Sequence, residues 1–589
     1  MPEPHSEIVL RGVGVTPGVA HGPAFLMTTE DLRIVERAIA EDEIPREIAR
    51  FEEALIATRR QLREIQERVE KAMDTERAGI FDAHLLVVDD RSLVEEVIRG
   101  LYAERRNVEA VLHTVAERYG AVLAGLDDEY LRERAADVRD VTRRILRNLA
   151  GRSSSVLAHL REPCIVVAND LAPSETATLD PAKVVGFATD LGSTTSHTAI
   201  MARALEIPAV VGLHDASVRV SQGDPVLVDG SKGLLILRPS AETLERYGQI
   251  ARARQNLRAQ LDRLRDRPAE TRDGYRVTLS ANIEMPHDVD AVLRHGAEGV
   301  GLFRSEFLFL SRDRLPDELE QARAYETVAH RLAPATVIIR TMDIGGDKFV
   351  SSLKTPRDLN PFLGWRAIRF CLAQPEVFLT QLRAILRASA HRNVKIMYPM
   401  ISTVDEAIHA NKILDQAKAE LRREGVAFDE GIEVGAMIEV PSAALTAHLI
   451  APHVRFFSIG TNDLIQYTMA VDRVNERITY LYEPTHPAVV RLIRQVIGTA
   501  HDTGRWTGVC GEMAGHPVLA PLLVGLGVDE LSMSPNLVPM VKGMLRNVRY
   551  PDLEDLAAEA LASESAAAIL ERCRALARAA APEIFDTIN

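Results

Sequence analysis

From Tyr275 to Met533 the chain repeats one unit, a short apolar run followed by an amphipathic stretch. The apolar runs are 276–283, 299–305, 336–343, 394–400, 433–440, 455–460, 507–511 and 528–533. Helical patterns separate them, among them 361–373, 376–390, 403–424, 442–450 and 486–503. Apolar runs of this length between turn signals read as buried strands. Strands that alternate with helices pair in parallel, because each crossover returns the chain to the same end of the sheet. Eight such repeats over roughly 250 residues predict a closed (β/α)8 barrel.

Barrel enzymes work at the C-terminal strand ends. Here those ends carry Arg304, Arg340, Glu439, Asn462 with Asp463, and Cys510, and Arg473 follows in the next loop. Guanidiniums take phosphate and carboxylate oxygens as bidentate pairs. Glu439 and Asp463 are hard oxygen ligands suited to Mg²⁺. The set fits a small phosphorylated carboxylate. Single residues of this kind usually cap loops; five on one face of a fold point to a site. A cysteine in an apolar strand is usually an inert hydrophobe. At a strand tip beside cations, Cys510 becomes a proton donor or acceptor.

Upstream the texture differs. Ile8 to Met27 is glycine-punctuated strand material. Cys164–Ala168, Val184–Ala188, Pro225–Asp229 and Gly233–Leu237 are further strand candidates. Between them, Ile48, Phe51, Leu55, Leu62, Ile65, Val69 and Met73 recur at threes and fours, the mark of an amphipathic helix. Residues 1–31 and 149–239 are therefore expected to form one β-rich domain, with 32–148 a helical insertion. A charged linker helix is expected over 240–268, a spacer or a helix packed on either neighbour, before the barrel domain at 269–589. The fold class expected is multidomain α/β.

A second site is expected in the run Gly192 to Arg203. Thr195 or Ser196 caps a helix there and His197 lies in its first turn. A phosphoryl group on that imidazole would meet free backbone N–H groups and the positive end of the helix dipole. Neutral imidazole is a competent nucleophile near pH 7. A first-turn histidine serving only packing is the commoner case, so position alone does not assign the role.

Composition narrows the partners. The 589 residues carry a net charge of −14, which disfavours nucleic acid and anionic membranes as partners. No apolar run approaches a membrane span. The start lacks the basic and apolar regions of a signal peptide, and a cytoplasmic location is expected. Four well-separated cysteines suggest neither a disulfide framework nor a zinc site.

Gly192 to Arg203, Gly299 to Phe309, Arg340 to Lys348, Asn360 to Arg369, Phe457 to Asp463, Ala470 to Arg473 and Gly508 to Gly511 closely resemble the Enzyme I family. These are the phosphoenolpyruvate-protein phosphotransferases of the bacterial sugar phosphotransferase system. The resemblance runs from about residue 8 to the C-terminus, with motifs in the same order. It implies that His197 is phosphorylated on Nε2 and oriented by Thr176. It implies that Arg304, Arg340, Asn462, Asp463 and Arg473 bind phosphoenolpyruvate, that Glu439 and Asp463 hold Mg²⁺, and that Cys510 protonates the pyruvate enolate. The β-rich domain would then be the swivelling phosphohistidine domain and the helical insertion the dock for the phosphocarrier protein HPr. The barrel would carry a homodimer contact. One departure stands beside the histidine: where the family often has Gly-Gly-Arg-Thr-Ser-His, this chain has Ser193 and Thr194 in place of the second glycine and the arginine. That bears on carrier preference and leaves the nucleophile intact. The rival readings are a nitrogen-regulatory paralogue, which carrier specificity separates, and an ATP-dependent phosphoenolpyruvate dikinase. The dikinase needs a nucleotide-binding domain, and 32–148 has no glycine-rich phosphate loop.

Overall fold

The computed structural model describes residues 7–27, 34–72, 81, 84–124, 129–151, 160, 162–171, 176, 179–180, 182–192, 199, 202, 207–310, 314–344, 363–473, 475 and 477–588. They divide into two compact units, Met1–Ala251 and Arg252–Asn589.

The first unit contains an eight-stranded sheet. Its strands are β1 (Ile8–Arg11), β2 (Val13–Thr16), β3 (Val19–Met27), β4 (Cys164–Ala168), β5 (Val184–Thr189), β6 (Ala209–Val211), β7 (Pro225–Asp229) and β8 (Leu234–Leu237). The order is β1-β8-β7-β3-β4-β5-β6-β2. The middle, β3-β4-β5-β6, is parallel, and the pairs flanking it are antiparallel. Strand β4 is buried along its whole length, as a central strand covered on both faces must be. At only three residues, β6 is too short to show a period and is not apparent in the sequence pattern.

Among the described residues between β3 and β4 stand four long helices, Ile44–Ala72, Arg91–Glu104, Val108–Ala124 and Glu129–Leu149. They bury their own apolar cluster, including Phe51, Leu62, Val97, Leu101, Val111 and Ile145. Asp90 caps the second of them, accepting from the backbone N–H groups of Ser92 and Leu93.

The second unit is a closed parallel barrel of β9 (Thr278–Ile283), β10 (Val300–Arg304), β11 (Val337–Arg340), β12 (Val394–Tyr398), β13 (Val434–Ile438), β14 (Phe456–Ile459), β15 (Trp506–Val509) and β16 (Glu530–Met533). Each strand coincides with one of the eight apolar runs of the sequence, and only β15 starts outside its run, one residue early at Trp506. Period-2 alternation sorts the side chains. On β14, Phe457 and Ile459 join the large apolar cluster that also holds residues of the surrounding helices. Phe456 instead joins Leu302, Ile338, Met397, Met437 and Cys510 in a separate interior cluster. Gly435 is required beside Phe456, since a Cβ there would lie 2.3 Å from the ring. The chain is multidomain α/β. No helix among the described residues is long and apolar enough to cross a membrane.

The helix Ala241–Asp262 has an end in each unit. Leu244, Tyr247 and Ile250 pack with Leu227 and Ile236 of the sheet. Leu257 and Leu261 belong to the barrel's apolar cluster. The turn that follows is fixed by Lys542, which is 1% exposed. Its ammonium donates to the carbonyls of Arg265 and Gly296, each at 2.8 Å. Replacing Lys542 with Met keeps the stem and removes both bonds. The expected cost is about 1–3 kcal/mol, read as a lower urea midpoint for barrel unfolding.

Candidate active site

The strand tips of the barrel bring together guanidiniums and carboxylates that the sequence scatters over 180 residues, from Glu284 to Asp463. Arg304 ends β10, and its Nη1 donates to Glu284 at 2.7 Å, just beyond β9. Its Nε lies 3.2 Å from Glu306, and its guanidinium covers the Phe307 ring at 4.8 Å. Arg340 ends β11. Its Nη2 reaches the same Glu306 oxygen at 2.5 Å and its Nη1 reaches Asp343 at 3.0 Å. Burial alone would lower the Arg340 pKa, but the charges of Glu306, Asp343 and Glu439 outweigh it and the pKa rises. Arg340 Nε is buried with no hydrogen-bond partner among the described residues, a donor in reserve.

Asp343 also receives Arg366, whose Nη2 touches both carboxylate oxygens at 2.9 Å. The same guanidinium lies 3.6 Å from Asp463. Arg366, like Arg340, is pushed upward: Asp343 and Asp463 overcome the cost of burial. Glu306, Asp343 and Arg366 were given no role from the sequence. Only the fold shows that each pairs with a predicted site residue. Their signal in the sequence was proximity to strand ends, which many residues share.

Glu439 follows β13 and is 2% exposed. It accepts a hydrogen bond from Met400 N–H at 2.6 Å. Burial, with Asp463 and Asp343 nearby, pushes its carboxyl up to about 8, although Arg340 and Arg366 pull the other way. Gly460 makes room for it, because a Cβ there would lie 2.6 Å from Glu439 Oε2. Asp463 is also buried, and its Oδ1 has no hydrogen-bond partner among the described residues. Two crowded hard-oxygen carboxylates, one with an orphan oxygen, fit a divalent cation. No cluster of three or more metal-binding side chains occurs among the described residues.

Asn462 and Glu512 exchange hydrogen bonds. The Asn462 amide donates to Glu512 at 3.0 Å, and Glu512 N–H donates to Asn462 Oδ1 at 2.8 Å. Arg473 N–H donates to Gln466 at 3.2 Å. Its charge lowers the Tyr482 phenol, whose pKa burial and Glu512 raise to about 12. Cys510 follows β15 in the barrel interior. Burial pushes its thiol up to about 11, while a hydrogen bond from Ser458 opposes the rise.

In the first unit Thr176 is fully buried, and its carbonyl accepts from Leu179 N–H at 3.1 Å. His197 and residues 193–198 around it lie outside the described residues. Just after them Ala199 and Ala202 are helical and buried in the apolar cluster of Phe187 and Val211.

Comparison with known proteins places these sites in context. Three family models match in succession: PEP-utilising enzyme, N-terminal, over residues 11–134; PEP-utilising enzyme, mobile domain, over 160–233; and PEP-utilising enzyme, PEP-binding domain, over 258–550. The chain is 46% identical to a phosphoenolpyruvate-protein phosphotransferase of Bacillus sp. (strain S), covering 92% of this chain and 93% of that one. It is 47% identical to the enzyme of that name from Bacillus subtilis, covering 89% and 92%. The identity to the Haemophilus influenzae enzyme is 44%, covering 95% and 98%. With nearly its whole length matched, the chain belongs to the phosphoenolpyruvate-protein phosphotransferase family of PEP-utilising enzymes.

Proposed function

We propose that the chain moves the phosphoryl group of phosphoenolpyruvate to its own His197 and then to the phosphocarrier protein HPr, releasing pyruvate. This is the first step of sugar transport by the phosphotransferase system, carried out in the cytoplasm. The observation that carries the reading is the buried set of guanidiniums and carboxylates on the barrel's strand tips, with a neutral thiol inside the same barrel. PEP-utilising enzymes work with a divalent metal, and we take it to be Mg²⁺ held by Glu439 and Asp463.

Arg304, Arg340 and Arg473, with Asn462 and Asp463, bind the carboxylate and phosphate of the substrate. Glu306 holds both Arg304 and Arg340, so neither guanidinium has to be reorganised during reaction. When bound, the cation neutralises charge on the phosphate oxygens. His197 Nε2 attacks phosphorus, with Thr176 orienting the ring. An N–P bond forms as the bond to the enol oxygen breaks, and positioning with electrostatic stabilisation supplies most of the acceleration. The enolate takes its proton at C3 from Cys510. The thiol is protonated at neutral pH because burial holds its pKa near 11.

The rest of the chain fits a relay. Residues 1–31 and 149–239 form the phosphohistidine domain, 32–148 the dock for HPr, 240–268 the linker and 269–589 the substrate-binding and dimerising barrel.

The deciding experiment incubates the protein with ³²P-labelled phosphoenolpyruvate, Mg²⁺ and HPr and then maps the label. His197→Ala should abolish labelling while the barrel remains folded by circular dichroism; retained label refutes the nucleophile. Cys510→Ala should lower kcat by about 10²-fold or more, the scale of general acid catalysis, with little change in phosphoenolpyruvate affinity. Unchanged turnover would make the cysteine structural. Glu439→Gln should weaken Mn²⁺ binding, measured by electron paramagnetic resonance without turnover, by about 10-fold or more. Wild-type affinity in that variant would remove Glu439 from the metal site.

A further inference from the structure

Once Cys510 has given up its proton, a thiolate must exist in a layer built from Leu302, Ile338, Met397, Met437 and Phe456. An unsolvated anion is costly there. Ser458 sets a hydroxyl against the sulfur in that surrounding. It stands two residues after Phe456 on β14, so alternation turns it inward as well. It is 3% exposed. Its hydroxyl donates to Cys510 Sγ at 3.3 Å and has no other hydrogen-bond partner among the described residues. Gly508 faces Ser458 across the β14–β15 ladder and has no side chain to crowd the hydroxyl.

The cysteine is held from the other side as well. Asn282 donates to the Cys510 carbonyl at 3.0 Å, and Ser532 donates to Asn282 Oδ1 at 2.6 Å. The thiol points toward the Ile459 carbonyl at 3.8 Å. Among charged groups, Glu439 after β13 and Glu530 on β16 disfavour the thiolate, and Arg340 on β11 favours it.

We propose that Ser458 is a positioning residue for protonation of the substrate's C3, orienting the Cys510 thiol and holding the thiolate it leaves. The inference rests on the assignment of Cys510 as proton donor. In the step, the S–H bond breaks and its electron pair stays on sulfur. The proton forms a C–H bond with the electron pair of the enolate, giving the methyl group of pyruvate. The Ser458 O–H···S contact becomes charge-assisted as the proton departs. It therefore strengthens in the transition state more than in the ground state, the condition for accelerating a step. A proton from solvent later restores the thiol.

The test separates the proton step from phosphoryl transfer by following loss of tritium from [3-³H]pyruvate to water, catalysed by the full-length protein with Mg²⁺. Ser458→Ala should slow this exchange about tenfold, the scale of one lost charge-assisted hydrogen bond. Phosphoenolpyruvate affinity and the thermal transition should stay at their wild-type values. Ser458→Thr, which keeps the hydroxyl, should restore exchange. Wild-type exchange in Ser458→Ala overturns the proposal. Equal slowing in the Ala and Thr variants also overturns it, because packing would then be the cause. Cys510→Ala serves as the reference. If it exchanges normally, the donor assignment itself fails. If it abolishes exchange while Ser458→Ala does not slow it, only the Ser458 proposal fails.

Discussion

The shared carboxylates of Glu306 and Asp343 hold the barrel's working end together. Glu306 is fully buried between Arg304 and Arg340, and Asp343 is buried between Arg340 and Arg366. Taking such groups out of water is costly, and mutual attraction repays the cost only where every charge is well met. The pairs are therefore weak evidence of stability. Their value is positional: each arginine is clamped by partners on two different strand ends, and its donors face a fixed direction. An uncharged barrel of the same size would fold at least as well. It would not present fixed guanidiniums to an anion.

This dependence explains which parts were legible in the sequence. The barrel strands were legible because burial on both faces forces near-continuous apolar runs. Boundaries drifted where the site intrudes. The run 336–343 reads as one strand, yet β11 ends at Arg340, and after Thr341, whose N–H still donates to the Met397 carbonyl, the chain turns off to bring Asp343 against two arginines. Within the run 361–373, the helix begins only at Ile368, after Ala367 adopts a φ of 54°. Arg366 stands just before that break. The run 442–450 divides at Thr446 into two short helices for which periodicity gives no warning.

Strand-end position selected Arg304, Arg340, Glu439, Asp463 and Cys510. It did not select Arg366, Glu306 or Ser458, because their meaning lies in a partner far away in the chain. Ser458 shows the difficulty well. Within Phe456–Ile459 it reads as a small residue tolerated in an apolar strand. Only closure of the barrel sets its hydroxyl against a sulfur 52 residues away. Gly435 and Gly460 are similar cases. Each is an ordinary small strand residue until a ring or a carboxylate arrives from a neighbouring strand.

The environment of Cys510 also decides what a thiol can do there. Cysteines that act as nucleophiles sit near cations or helix N-termini, which lower the pKa and expose thiolate. Cys510 has one such influence, Arg340, and it is outweighed by burial and by Glu439 and Glu530. With its pKa near 11 the group keeps its proton at neutral pH, the state that the proposed proton donation requires. For the proposed proton donation a weak acid suffices, because the enolate left by loss of a phosphoryl group is a much stronger base than a thiolate. The same burial that would disable a nucleophile keeps this proton in place for an acceptor basic enough to take it.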